Sequence, residues 1–174
     1  MARMEYADVG AAKVRPLSDR IVAARGQMLH IYRMLLHSPA VAEGWLAMMS
    51  AIRQRCVLAG SLRELVIMRI AQLNGAAYEA EQHRAFALKE DVSEQQLDAL
   101  EDWENSKLFS PIERAVLDYC DTLTIDVKVP DEVFARAREH FDEQSMVELT
   151  ATIASYNMVS RFLVALQIEG SDKV

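Results

Sequence analysis

The sequence predicts an all-α fold of about eight helices, and three observations lead there. Glycine (6) and proline (4) are scarce, while Ala, Leu, Met and Glu, all good helix formers, are common. Apolar residues recur at helical spacing along most of the chain. The two β-like stretches, Val66-Ile67-Met68 and Ile125-Asp126-Val127, are short and flanked by helical periodicity.

Residues 1–16 read as a loose N-terminal arm ending at Pro16, and residues 17–174 as a single helical domain. The first helix is expected from about Ser18 to Leu36, with Ile21, Met28, Ile31, Tyr32 and Leu35 on one stripe. Ser38 is placed to cap the next helix, with Pro39 in the first turn, where a missing N–H costs nothing. That helix runs to about Leu58 and stops at Ala59-Gly60. Ser61-Leu62-Arg63-Glu64 has the spacing of a capping box, and the helix it opens ends at Asn74-Gly75. The next runs from about Ala76 to Lys89. Ser93-Glu94-Gln95-Gln96 has capping-box spacing and opens a short helix, followed by a polar connection over 101–109 that contains Trp103 and Phe109. Ser110-Pro111-Ile112-Glu113 starts a helix reaching about Leu123. Val129-Pro130-Asp131 starts another, and Asp142 caps a long last helix reaching about Ile168.

Half of the 174 residues are apolar, enough for one real core. The net charge of −7 argues against nucleic acid or an anionic membrane surface as partner, because both select a basic field. A small anionic substrate needs only a local basic pocket. Cys56 and Cys120 are far apart and form no CxxC motif, which fits a reducing compartment and offers neither a disulfide framework nor a zinc site. Met1–Arg15 lacks the apolar core of a secretory signal, and no apolar run is expected to approach the roughly 18 residues of a membrane span. A soluble cytoplasmic protein is expected.

The chemistry concentrates in residues 62–83. Glu64 lies among apolar neighbours at the head of one helix. Glu79 and His83, four residues apart on the next, share a face, with Ala76 one turn earlier. A carboxyl beside an imidazole is a proton-transfer pair: the acid orients the ring, or each group handles its own proton. Tyr78 adds a phenol beside them. Taken alone, Glu79 and His83 also fit a solvated surface pair, and Glu64 a helix cap. Two ligands without a second nearby histidine make a poor metal site, so no metal is expected.

This segment resembles the active-site segment of the carboxymuconolactone decarboxylase and alkylhydroperoxidase D superfamily. The likeness lies in the Arg63-Glu64-Leu65 opening, the apolar helix, the Asn74-Gly75 turn and Tyr78-Glu79 followed by His83. In alkylhydroperoxidase D proteins the pattern is a glutamate, a cysteine twelve residues on, another three further, and a histidine four beyond. Here those places hold Glu64, Ala76, Glu79 and His83, so both cysteines are absent. The decarboxylase branch carries a glutamate four residues before the histidine, which Glu79 matches, but generally lacks the equivalent of Glu64. Ser110–Leu117, Val147-Glu148-Leu149 and Tyr156–Phe162 extend the likeness, which covers about residues 35–168.

The resemblance implies an alkylhydroperoxidase D-like helical bundle and a homo-oligomer, a trimer or hexamer. The apolar run Trp45-Leu46-Ala47-Met48-Met49 either serves such an interface or lines the core. It further implies a lyase of aromatic-compound catabolism that decarboxylates a small carboxylated lactone or related ring without a cofactor. In that reading His83 is the acid/base, Glu79 its partner or the proton donor, and Glu64 orients His83. Tyr78 bonds the lactone oxygen. Arg69 or Arg161 holds a substrate carboxylate, although both also fit structural or surface roles. Peroxide reduction needs an attacking and a resolving thiol, which Ala76 and Glu79 do not supply. The alternatives are an alkylhydroperoxidase-like antioxidant protein and a non-catalytic helical assembly protein.

Overall fold

The computed structural model describes residues 1–172, and among them it is all-helical. Nine α-helices follow in order: α1 (Arg15–Arg25), α2 (His30–Leu35), α3 (Pro39–Gln54), α4 (Gly60–Leu73), α5 (Ala77–Lys89), α6 (Glu94–Ala99), α7 (Pro111–Ile125), α8 (Asp131–Arg138) and α9 (Glu143–Leu166). A 3-10 turn, Leu100–Asp102, follows α6.

The count exceeds eight because the expected first helix is two. Gly26 takes the left-handed conformation (φ 79°) and its N–H bonds Val22 O, which closes α1. No atom would meet a Cβ at Gly26, so Gly26→Ala tests the backbone alone. It is expected to cost about 1 kcal/mol, seen as a Tm lower by a few degrees in thermal denaturation; an unchanged Tm would contradict this origin of the break.

The described residues form two compact units, Met1–Cys56 with the segment from Ala165 onward, and Val57–Val164. In the first, α3 packs against α1 and α2. The arm expected to be loose is bonded at several points: Arg3 N–H to Leu166 O (2.9 Å), Ala7 N–H to Arg33 O (3.3 Å) and Tyr6 OH to Asp172 (2.6 Å). Within the run 45–49, Trp45, Leu46 and Met49 are buried, while Ala47 and Met48 are exposed.

The second unit holds the site. Here α4 is the central element: it packs against α5 and α7, and Val66, Ile67 and Ile70 are wholly buried. The connection after α6 is not merely polar, since Trp103 and Phe109 join Leu65, Met68, Leu97, Leu100 and Leu117 in one apolar cluster. Both later serine boxes form around their acidic or amide partner. Ser93 exchanges bonds with Gln96, and Glu113 accepts from Ser110 N–H at 2.7 Å. Asp142 accepts from Ser145 N–H (2.8 Å) at the head of α9. The two earlier caps differ from expectation. Ser38 precedes α3 without a side-chain bond, Pro39 alone marking the start. α4 begins at Gly60, so Ser61 lies inside the first turn and Glu64 turns inward instead of capping.

One helix, α9, is long and apolar enough by length and composition alone to cross a membrane, although it contains no uninterrupted apolar run of that length. Half of that stretch is buried in the protein, as in the core helix of a globular unit.

Candidate active site

Two helices and the turn between them set the site. At the end of α4, Asn74 is the cap and Gly75 is left-handed (φ 65°). Gly75 N–H bonds Gln72 O (3.1 Å) and Ala76 N–H bonds Ala71 O (2.8 Å), the Schellman pattern. The side chain of Asn74 donates to Asn157 Oδ1 (3.0 Å), and Asn157 donates to Thr124 Oγ1 (2.9 Å), tying the turn to α7 and α9. This turn reverses the chain so that α5 lies along α4.

Glu64, Glu79 and His83 are all buried, at 0%, 2% and 7% exposure, so the solvated-pair reading does not hold. Glu64 Oε2 lies 2.7 Å from His83 Nδ1, across nineteen residues of sequence. Its other oxygen accepts from Arg63 Nε at 3.2 Å, and Arg63 Nη2 reaches Glu90 Oε1 at 3.3 Å. Gly60 makes room for this chain: a Cβ there would stand 1.8 Å from Glu90 Oε2. The His83 ring meets Tyr156 edge-on at 5.2 Å between centroids and lies 5.8 Å from the Phe86 ring, which is partly exposed.

Glu79 is not bonded to its helical neighbour His83. Its Oε2 contacts Ser160 Oγ on α9, and Oε1 is buried without a hydrogen-bond partner among the described residues. Burial pushes the Glu79 carboxyl up to about 8, with the Ser160 hydrogen bond acting weakly the other way. At neutral pH this group therefore carries its proton. The site thus contains two carboxyls in different settings. One is held by an imidazole and a guanidinium; the other is desolvated beside a single hydroxyl.

The remaining expected residues are Tyr78, Arg69 and Arg161. Tyr78 is buried beside Glu79 in sequence. Arg69 is committed elsewhere: Nε and Nη2 bond both oxygens of Asp121 (2.7 and 2.6 Å), and Nη1 bonds Leu100 O (3.0 Å). The expected substrate clamp at Arg69 is thus a structural ion pair, because its whole fork is already used. Arg161 is exposed on α9. Cys120 is wholly buried and burial pushes its thiol well up, while Cys56 is half-buried; neither forms a disulfide among the described residues. Among the described residues no group of three or more His, Cys, Asp or Glu is placed to hold a metal ion.

Arg63, Tyr156 and Ser160 were not singled out from sequence. Arg63 had a signal, since it neighbours Glu64. Ser160 and Tyr156 had a fainter one, being polar groups one turn apart on a largely apolar helix.

Comparison with known proteins bears on the family and the fold. Residues 39–121 match the model of the carboxymuconolactone decarboxylase family. The chain is 34% identical to Bacillus subtilis (strain 168) YdfG over 113 residues, 64% of this chain and 77% of YdfG. A peroxidase-related protein from Ralstonia eutropha JMP134 with an alkylhydroperoxidase AhpD core superposes with a TM-score of 0.82 at 18% identity, covering 98% of this chain and 93% of that one. A variant of the debrominase Bmp8 in complex with 2,3,4-tribromopyrrole superposes with a TM-score of 0.79 at 16% identity, covering 96% and 92%. At these identities the two structures establish a shared fold.

Proposed function

This chain belongs to the carboxymuconolactone decarboxylase family, and from that premise we propose that it is a cofactor-independent lyase acting on a small carboxylated lactone or related ring. The observation that carries the proposal is the pair of unlike carboxyls, Glu64 bonded to His83 and Glu79 buried beside the Ser160 hydroxyl, where burial favours its neutral form. Carboxyls whose surroundings separate their proton affinities commonly divide the acid and base roles.

Loss of carbon dioxide breaks a C–C bond and sends its electron pair through the conjugated system onto the lactone carbonyl oxygen. The dienolate so formed must then be protonated on carbon. Glu79, neutral at the working pH, is the proton donor. Glu64 accepts from His83 Nδ1, fixing the ring so that Nε2 is the atom that exchanges a proton or bonds the developing oxyanion. Tyr78 bonds the lactone oxygen. With Arg69 taken by Asp121, Arg161 is the carboxylate clamp in this reading. The bound tribromopyrrole of Bmp8 supports a small planar ring as the substrate class for this fold. Assembly into a homo-oligomer and a cytoplasmic setting belong to the same proposal.

The antioxidant alternative draws on the peroxidase-related neighbour. Ala76 and Glu79 at the thiol positions and the buried Cys120 weigh against it. Burial of Glu79 and His83 weighs against a non-catalytic assembly protein, in which both would face solvent.

The test is release of carbon dioxide from 4-carboxymuconolactone. His83→Ala and Glu79→Gln are each expected to lower kcat by about 100-fold or more while circular dichroism stays helical. Full activity in both variants would sink the assignment. Peroxide consumption that survives replacement of both cysteines would defeat it from the other side.

A further inference from the structure

Ser160 has two acceptors for one hydrogen. Its Oγ contacts Glu79 Oε2 on α5 and lies 2.9 Å from Tyr156 O one turn earlier in α9. A serine hydroxyl offers one hydrogen and two lone pairs, and a peptide carbonyl can only accept. Both contacts are therefore satisfied together only when Glu79 carries a proton, gives it to Ser160 Oγ, and Ser160 gives its own to Tyr156 O. When Glu79 is ionised, the Ser160 hydrogen must turn to Oε2. The carbonyl of Tyr156 can spare it, since the helix already supplies that oxygen with a backbone N–H.

We infer that Ser160 is a positioning residue that holds Glu79 in both protonation states by turning one hydroxyl hydrogen between Tyr156 O and Glu79 Oε2. The inference rests on the reading of Glu79 as the proton donor. As Glu79 delivers its proton, its O–H bond breaks, a C–H bond forms on the substrate, and negative charge passes from the dienolate to the carboxylate. Among the described residues Oε1 has no hydrogen-bond partner, so the Ser160 hydroxyl is the donor there that meets that charge. The arrangement also fits the full burial of Ser160, whose hydroxyl has no need of water.

The other titratable or charged groups of the site are Arg63 and Glu64 on α4, Tyr78 and His83 on α5, Tyr156 and Arg161 on α9, and Glu90, bonded to Arg63. Replacing Ser160 changes none of them. A hydrogen bond to an ionised carboxylate is about twice as strong as one to a neutral acid. Loss of the hydroxyl therefore harms the ionised form more and raises the proton affinity of Glu79.

The experiment follows the carboxylic C=O stretch of Glu79 by infrared spectroscopy, taken as the difference from Glu79→Gln, across neutral and alkaline pH. The wild-type signal is expected at neutral pH and to vanish as pH rises through about 8. In Ser160→Ala the midpoint is expected to move up by about one pH unit, with the stretch at higher frequency. Ser160→Cys, nearly isosteric with a weak S–H donor, is expected to fall between, and it carries the test should the alanine variant misfold. An unmoved midpoint in the folded variants overturns the inference, as does the absence of a Glu79 carboxylic signal at neutral pH. A Ser160-dependent midpoint sustains it even if turnover survives Glu79→Gln, a result that removes only the functional reading.

Discussion

Asp121→Ala is expected to destabilise the protein by about 3 kcal/mol, a large part of a typical domain's stability. Asp121 accepts two bonds from Arg69 and a third from Trp103 Nε1 (3.0 Å). The two charged side chains are only 11% and 15% exposed. Burial works against the Arg69 charge, but hydrogen bonding to Asp121 and the nearby negative charge together outweigh it, so the guanidinium is held more firmly protonated than usual. Deleting the carboxylate leaves that cation half-stranded in the unit and orphans the indole N–H beneath the apolar cluster. Asp121→Asn keeps an acceptor for Trp103 and should lose less. Urea denaturation of the two variants checks both statements; a loss below about 1 kcal/mol in Asp121→Ala would show that the pair contributes no more than a surface bridge.

Glu79→Gln is expected to stabilise the protein increasingly as pH rises. The Glu79 carboxyl titrates near 8 in the fold against an ordinary value of 4.5. Between these values the folded chain keeps a proton that the unfolded chain releases. Stability from this group is therefore complete at acid pH, declines as pH rises past about 4.5, and is lost by the time pH passes about 8. Each tenfold change in proton affinity corresponds to about 1.4 kcal/mol, so the whole decline is on the order of several kcal/mol. Glutamine is uncharged throughout and removes it. The variant should match the wild type in mildly acid solution and exceed it clearly in alkali. Unfolding free energies of both proteins across that range give the difference directly, and parallel curves would mean that Glu79 is not buried as an acid. A destabilising acid in the core is intelligible if function requires it.

Most of the helices were legible because their ends are written locally. Ser93 with Gln96, Ser110 with Glu113, Asp142 with Ser145 and the Asn74-Gly75 turn are each settled within a few residues. Where reading failed, a distant partner decided. Glu64 has the spacing of a capping-box acid, yet an imidazole nineteen residues on and the neighbouring Arg63 draw it inward. Arg69 looked equally suited to a substrate or to a salt bridge, and Asp121, 52 residues away, takes it. Residues 18–36 carried a continuous apolar stripe, and only the left-handed backbone at Gly26 divides it.

For the site, the sequence by itself determined which groups are available: a glutamate heading α4, a glutamate and a histidine one turn apart on α5, and alanine in place of a thiol. Their pairing was decided by the tertiary structure. Helical spacing allowed Glu79 to partner His83, but Glu64 takes the ring from α4 and Ser160 takes Glu79 from α9. The reason is physical. Periodicity fixes which side chains share a face, whereas hydrogen-bond partners and proton affinity depend on which other helices cover that face and how completely they exclude water.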